Sequence, residues 1–299
     1  MTETSAPTPL TNFELTPEAV AQLARADVAR ALQEDVGAGD LTAALVNPTQ
    51  RARARVLARE AAVICGQPWV DEAVRTLDPQ ARITWHVAEG QRCAPNQVVL
   101  EIDGHAQPLL TAERTALNFL QTLSAVATKT AHYVDLVAGT RARIVDTRKT
   151  LPGLRLAQKY AVKTGGGANH RLGLYDAVLI KENHIAAAGG VTAVLQRVQQ
   201  TAPQAKFVQI EVETLAQLQE ALDAGARMVL LDNMDLPTLR EAVRLNTAHP
   251  KGGAVLEISG GVNETTVRAL AETGVDRISI GTLTKDVKAV DFSMRFEAL

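Results

Sequence analysis

The chain has 299 residues, a formal net charge of -2, and 46% hydrophobic against 21% charged side chains. That length holds one large α/β domain or two ordinary ones, with two preferred, and either arrangement buries a sizeable core. No run approaches the about 18 consecutive apolar residues of a membrane span, and a near-neutral chain with few aromatics lacks the basic, aromatic-interleaved face of a nucleic-acid binder, so neither partner is expected.

Residues 1–12 read as a disordered tail; with no early positive charge and no apolar core they do not form a secretory signal. Behind the Thr16-Pro17 start, Val20, Leu23, Ala24, Val28 and Leu32 recur at helical spacing, so Pro17 to Leu32 predicts a surface helix that Gly37 to Asp40 ends. Arg53 to Ile64, Arg82 to Val87 and Val98 to Ile102 predict strands. Asp78-Pro79 and Glu89-Gly90 separate them, and no long crossover fits between the last two, which implies an antiparallel sheet. Arg51, Arg53 and Arg55 alternate along the first of these strands and are expected on one solvated face. Cys65 and Cys93 form no CxxC pair, which fits a reducing cytoplasm and two plain packing residues. Leu109 to Val137 is helical for long enough to bridge two domains, with a break expected at Ser124.

Beyond Arg141 short apolar strands alternate with helical segments. The strands are Arg143 to Asp146, Ala177 to Lys181, Phe207 to Val212, Met228 to Leu231, Val255 to Ser259 and Arg277 to Ile280; the helices are Leu156 to Val162, Thr192 to Gln200, Leu215 to Ala224, Leu236 to Leu245 and Asn263 to Glu272. Strands that read as continuous apolar runs are covered on both faces, the pattern of parallel βα units. Six readable strands fall short of the eight of a full barrel. The expected fold class is therefore α/β: an N-terminal α/β sandwich with an antiparallel sheet plus a depleted, incomplete parallel α/β barrel. The boundaries are placed at 1–124 for the sandwich, joined by the C-terminal tail 286–299, and 125–285 for the barrel-like domain.

The chemistry-bearing residues fall at one end of these strands. Asp146, Thr147, Arg148 and Lys149 follow the first; Lys181, Asn183 and His184 close the second; Glu211 and Glu213 end the third; Asp232 and Asn233 end the fourth; Ser259-Gly260-Gly261 and Gly281-Thr282 follow the last two. In a parallel barrel those carboxyl ends meet around one mouth, and small-residue loops before helices hold phosphate there. A small, highly charged ligand such as a phosphorylated sugar is the expected occupant. Taken singly, an Asp or Glu at a strand end is more often a cap or turn residue; it is the convergence that raises the reading. Gly165-Gly166-Gly167 by itself reads as a flexible turn, because no GxGxxG or GxxxxGK[ST] spacing accompanies it. His170 and His184 lack HExxH or other zinc spacing.

Together these segments resemble the quinolinate phosphoribosyltransferase family, the carboxylating nicotinate-nucleotide pyrophosphorylases. The motifs that carry the resemblance run in order from Glu34-Asp35-Val36-Gly37-Ala38-Gly39-Asp40-Leu41-Thr42 through Glu113 to Gln121, Asp146 to Arg155, Lys159 to Val162, Gly165 to Leu174 and Leu179 to His184. They continue through Glu211-Val212-Glu213, Leu231 to Met234 and Ser259-Gly260-Gly261 to Gly274-Val275-Asp276, nearly the whole chain past the tail. Two positions depart: Ala125 stands where glycine is frequent, and Lys285 where many members carry histidine.

The resemblance implies transfer of phosphoribosyl from phosphoribosyl pyrophosphate to quinolinate with loss of carbon dioxide and pyrophosphate, giving nicotinate mononucleotide for NAD synthesis. It implies that Arg114, Arg148 and Arg171 pair bidentately with the two carboxylates. Lys149, Lys181 and His170 add donors, with Thr147 beside them, and Lys149 is also counted among the catalytic groups. Glu211 and Asp232 match positions that meet ribose hydroxyls and magnesium pyrophosphate. Ser259, Gly260, Gly261 and Gly281 match the 5′-phosphate cradle, where Lys285 can still donate. Mg²⁺ is the implied cofactor, held mainly by the pyrophosphate, and no direct metal ligand is implied beyond Glu211 and Asp232. Arg114 reaches the site from a neighbouring subunit in this family, so a cytoplasmic homodimer is expected. The alternatives are a paralogous phosphoribosyltransferase with another acceptor, and a non-catalytic sensor of anionic metabolites. Acidic groups beside phosphates oppose the sensor.

Overall fold

The computed structural model describes residues 15–298. Two compact units emerge. Among the described residues, one holds Val20–Gly139, Arg143–His170 and 280–298; the other holds Thr140–Ala142 and Arg171–Ser279, with 15–19.

In chain order the first unit runs α1 (Pro17–Asp35), β1 (Arg51–Ala58), β2 (Ala62–Val63), α2 (Gln67–Leu77), β3 (Arg82–Trp85), β4 (Arg92–Cys93), β5 (Val98–His105), α3 (Ala106–Leu136), β6 (Arg143–Val145) and α4 (Arg155–Thr164). The second contributes β7 (Val178–Ile180), α5 (Glu182–Ala188), α6 (Val191–Thr201), β8 (Val208–Val212), α7 (Leu215–Asp223), β9 (Met228–Asp232), α8 (Leu236–Ala248), β10 (Val255–Ser259), α9 (Val267–Ala271) and β11 (Arg277–Ser279). The chain then returns to the first unit with α10 (Thr282–Lys285) and β12 (Phe292–Ala298). The tail expected at 1–12 lies outside the described residues.

The antiparallel sheet of the first unit has the order β12-β1-β5-β3. Along β1 the side-chain period of two buries Ala52, Ala54, Val56 and Ala58 and turns the arginines outward. There they pair with acids on the flanking strands: Arg53 donates to Asp103 at 2.6 and 2.9 Å, and Arg55 to Glu101 at 2.6 Å and Glu297 at 2.8 Å. These partly exposed cross-strand pairs are screened by solvent and add little to stability, and the arginine row is a solvated face, as its spacing predicts. Both cysteines are buried and free.

The break expected at Ser124 does not occur; α3 runs unbroken for 31 residues. The Ser124 hydroxyl donates to the Cys65 carbonyl at 3.1 Å and accepts from the Cys65 amide at 3.0 Å, and one turn on Thr128 Oγ1 accepts from the Val63 amide at 2.8 Å. These hydroxyls satisfy backbone outside the helix and leave the helix's own ladder intact.

Gly165-Gly166-Gly167 is likewise more constrained than a flexible turn. A Cβ on Gly165 would collide with the Ala127 carbonyl and sit 2.8 Å from Thr130 Cβ; one on Gly167 would lie 2.8 Å from Thr130 Cγ2. The glycines let the end of α4 touch the α3 backbone. Gly165→Ala is expected to destabilise the fold by about 1–3 kcal/mol through overpacking, read as a lower urea midpoint; an unchanged midpoint would refute the close-contact explanation.

In the second unit the strands are parallel neighbours in the order β11-β10-β9-β8-β7, and most of their apolar residues are buried. The register sets Ser259 beside Asp232 and Glu211 beside Leu230. Helices begin on side-chain caps: Thr214 Oγ1 accepts from the Gln217 amide at 3.2 Å and Asp235 Oδ1 from the Thr238 amide at 2.9 Å. The segment expected as helix from Asn263 starts later, at Val267, because Asn263 Oδ1 accepts from the Thr265 and Thr266 amides and forms a turn first. Among the described residues no helix is long and apolar enough to cross a membrane.

Candidate active site

The candidate residues fall into two groups, one in each unit. In the first unit the stretch after β6 begins with a residue that does not face a ligand. Asp146 is fully buried: its carboxylate binds the Lys159 ammonium, accepts from Asn169 Nδ2 at 2.6 Å and from the His170 amide at 2.8 Å, while Lys159 Nζ also donates to the His170 carbonyl at 3.2 Å. Burial pushes this carboxyl up and the Lys159 ammonium pulls it back. The expectation that Asp146 belongs to a ligand-facing set is thus corrected: its lone pairs are used to hold the loop from Ala168 to His170. Lys159 and Asn169 lie in motifs that carry the resemblance, but no role is read for them from the sequence; the available signal is a lysine flanked by Ala157, Ala161 and Val162 on the buried side of a helix.

The next three residues are available. Thr147 Oγ1 accepts from the Lys149 amide at 3.0 Å. Arg148 Nε is buried with no hydrogen-bond partner, an arrangement that costs free energy unless an acceptor arrives. Lys149 is exposed and its stem lies against Gly281, where a Cβ would stand 3.0 Å from Lys149 Cδ and 3.7 Å from Thr147 Oγ1. Lys285 is exposed one turn on, its amide donating to the Gly281 carbonyl at 3.2 Å. The structure thus gathers Thr147, Lys149, Gly281 and Lys285. Arg114 is exposed on α3, one turn beyond Thr111, whose hydroxyl donates to Asp40 at 2.9 Å. The His170 main chain is held by Asp146 and Lys159.

In the second unit Lys181 Nζ stands 3.9 Å from Glu211 Oε2, with the lysine side chain 54% exposed and the glutamate 17%. Desolvation pushes Glu211 above the ordinary carboxylate range; Lys181 opposes that, and Asp232, Glu213 and Glu182 add to it. Asp232, Ser259, Gly260 and Gly261 line a cavity of about 630 Å³ with Glu213 and Asn233. Gly260 and Gly261 have φ of +91° and +62°, a backbone that glycine adopts without the strain a Cβ would bring. Arg171 Nη1 donates to the Ala177 carbonyl at 3.1 Å.

No group of three or more His, Cys, Asp or Glu among the described residues forms a metal cage. The donors that remain, Glu211 and Asp232, are hard oxygens, which suit a magnesium ion carried mostly by a substrate's phosphates.

Parallel βα units with exposed cations, glycine turns and two acids at the strand ends define an α/β protein built for a polyanionic small molecule. Residues 40–124 match the quinolinate phosphoribosyl transferase N-terminal domain, and residues 126–295 the C-terminal domain. A nicotinate-nucleotide pyrophosphorylase (carboxylating) of Mycobacterium leprae is 41% identical over 278 residues, 91% of this chain and 96% of the relative. Quinolinate phosphoribosyltransferase (decarboxylating) 1 of Nicotiana glauca is 38% identical over 287 residues, 89% of this chain and 80% of the relative. The structure of the nicotinate-nucleotide pyrophosphorylase from Francisella tularensis superposes with a TM-score of 0.88 at 38% identity, covering 98% of this chain and all of that one. The chain belongs to the quinolinate phosphoribosyl transferase family.

Proposed function

We propose that this chain transfers the phosphoribosyl group of phosphoribosyl pyrophosphate to quinolinate, releasing carbon dioxide and pyrophosphate and forming nicotinate mononucleotide. The observation that carries the reading is the pairing of exposed Lys181 with the partly desolvated acid Glu211, near enough to Asp232 to feel its charge. A simple anion receptor gains nothing from two acids; a centre where positive charge develops at an anomeric carbon does.

In this reading the guanidinium groups of Arg114, Arg148 and Arg171 take the two quinolinate carboxylates, and the unpartnered Arg148 Nε is a ready donor. Lys181 and His170 add donors to the same dianion. Glu211 and Asp232 hold the ribose hydroxyls and face the developing cation. Ser259, Gly260, Gly261 and Gly281 cradle the 5′-phosphate with Lys285; Lys149, expected among the carboxylate donors, stands with Thr147 beside Gly281 and is assigned to the sugar donor instead. Mg²⁺ carried by the sugar donor, with Glu211 and Asp232 as the hard oxygens at hand, would supply charge neutralisation of the leaving group. The ring nitrogen's lone pair forms the bond to the anomeric carbon while the bond to pyrophosphate breaks and its electron pair leaves with pyrophosphate. The carbon–carboxylate bond then breaks; its electron pair stays on the ring carbon beside the cationic nitrogen and takes a proton from solvent, so no protein base is required.

Incubating the purified chain with quinolinate, phosphoribosyl pyrophosphate and Mg²⁺ is expected to yield mononucleotide, pyrophosphate and carbon dioxide in equal amounts. Equal turnover of nicotinate would favour a different acceptor, and no turnover would end the reading. Carbon dioxide release without the sugar donor would reverse the order of steps.

The ionised form of Glu211 is the one that stabilises the cation. Because its carboxyl is raised, it loses charge at a pH above the usual glutamate range, so turnover is expected to fall about tenfold per pH unit as pH drops through that value. Glu211→Gln should abolish this acid limb along with most activity; a limb that persists unchanged assigns it to another group.

The proposed active unit is a cytoplasmic homodimer in which Arg114 serves the neighbouring subunit, a reading supported by its exposure on α3. Mixing Arg114→Ala with Lys149→Ala chains, each inactive alone, is expected to restore up to about a quarter of wild-type activity through mixed dimers with one intact site. No recovery after verified subunit exchange would place Arg114 in its own site.

A further inference from the structure

We propose that Gln158 and Thr284 are positioning residues for this transfer, a clamp that fixes the Lys149 main chain against the turn from Gly281 to Lys285. The inference rests on the phosphoribosyl-transfer reading.

Both side chains are wholly buried, at 0% exposure. Thr284 Oγ1 donates to the Lys149 carbonyl at 2.7 Å. Gln158 uses both ends of its amide: Nε2 donates to the Thr284 carbonyl at 2.9 Å, and Oε1 accepts from the Leu151 amide at 2.8 Å. One side chain on α4 therefore ties the loop after β6 to α10. Lys129 secures the far end of the turn, its ammonium donating to the Thr282 carbonyl at 3.1 Å and the Asp286 carbonyl at 2.7 Å. Lys149 is thus held at its amide by Thr147 and at its carbonyl by Thr284, while its ammonium makes no ion pair among the described residues.

The Leu151 amide and the Lys149 and Thr284 carbonyls need partners, and here side chains supply them across two separate segments, so that the same bonds that satisfy the backbone also tie those segments together. What a fully matched network provides is direction, because hydrogen bonds fix angle and separation where apolar packing tolerates sliding. The direction fixed here is the approach of the Lys149 stem to Gly281, a contact already so close that a Cβ at Gly281 would stand 3.0 Å from Lys149 Cδ. An ammonium and a backbone turn held in that relation meet the same anionic group of the sugar donor. A small displacement weakens both contacts together.

Thr284→Val keeps the shape and removes the hydroxyl; Thr284→Ser keeps the hydroxyl. Steady-state kinetics with both substrates are expected to show kcat/KM for phosphoribosyl pyrophosphate about tenfold lower in the valine variant, KM for quinolinate within about twofold of wild type, and the serine variant restored to within about threefold. Gln158→Met should give the same asymmetry. Equal loss toward both substrates, or a serine variant as impaired as the valine one, would overturn the clamp by assigning the residue to packing alone. If neither Thr284→Val nor Thr284→Ala folds while Thr284→Ser does, the hydroxyl serves folding and the proposal also fails. Inactive wild type would sink the parent reading instead, whereas active wild type with a normal valine variant sinks only the clamp.

Discussion

Lys149→Ala is expected to lower kcat by about a hundred- to a thousandfold while leaving the unfolding midpoint unchanged. The asymmetry follows from how the residue is held. Its main chain is fixed at both ends, at the amide by Thr147 and at the carbonyl by Thr284, and truncation leaves both bonds in place. The side chain is exposed and has no ion-pair partner among the described residues, so the fold loses little. What is lost is a positive charge fixed beside the sugar donor's phosphate, on which the donor's alignment at the reacting carbon depends. Near-normal kcat in a folded variant would remove Lys149 from the chemistry.

Lys159→Met is expected to have the opposite signature. Lys159 and Asp146 are fully buried against each other, and removing the ammonium leaves a carboxylate in the interior without its counter-charge. Breaking such a pair costs about 3–5 kcal/mol, visible as a large fall in the urea midpoint. Activity at low temperature should fall less than stability, because the Asn169 and His170 bonds still tie the loop to Asp146. Changing Asp146→Asn in the same chain should recover part of the loss, since the neutral amide needs no partner charge. A single variant as stable as wild type would show that the pair does not hold the interior together.

The second unit was legible because parallel strands covered on both faces read as plain apolar runs, and the intervening helices carry one buried stripe each. The exception, α5, has no buried residue and therefore no periodicity to find. Ser124 misled because a hydroxyl in mid-helix is equally compatible with a break and with a bond to neighbouring backbone; only the position of Cys65 decides. The placement of Glu211, Asp232 and Ser259 at strand ends was readable from spacing alone. The separation of Asp146 from Lys149 was not. Both are charged residues in one short loop, and what distinguishes them is a lysine 13 positions on, a contact made by folding. Gln158 and Thr284 gave no signal, since a buried polar residue looks in sequence like an exposed one.

The strand β12, laid along β1, has a consequence for biosynthesis. Arg55 and Glu297, which pair across those strands, lie 242 positions apart. While the polypeptide is being made, β1 leaves the ribosome early and keeps one flank open until β12 has emerged, so the sheet stays incomplete while all the segments between them are synthesised. An open strand flank invites pairing with other nascent chains. The alternating arginines of β1 present their charges along that flank throughout the wait, and a chain cut short before β12 would leave it open for good.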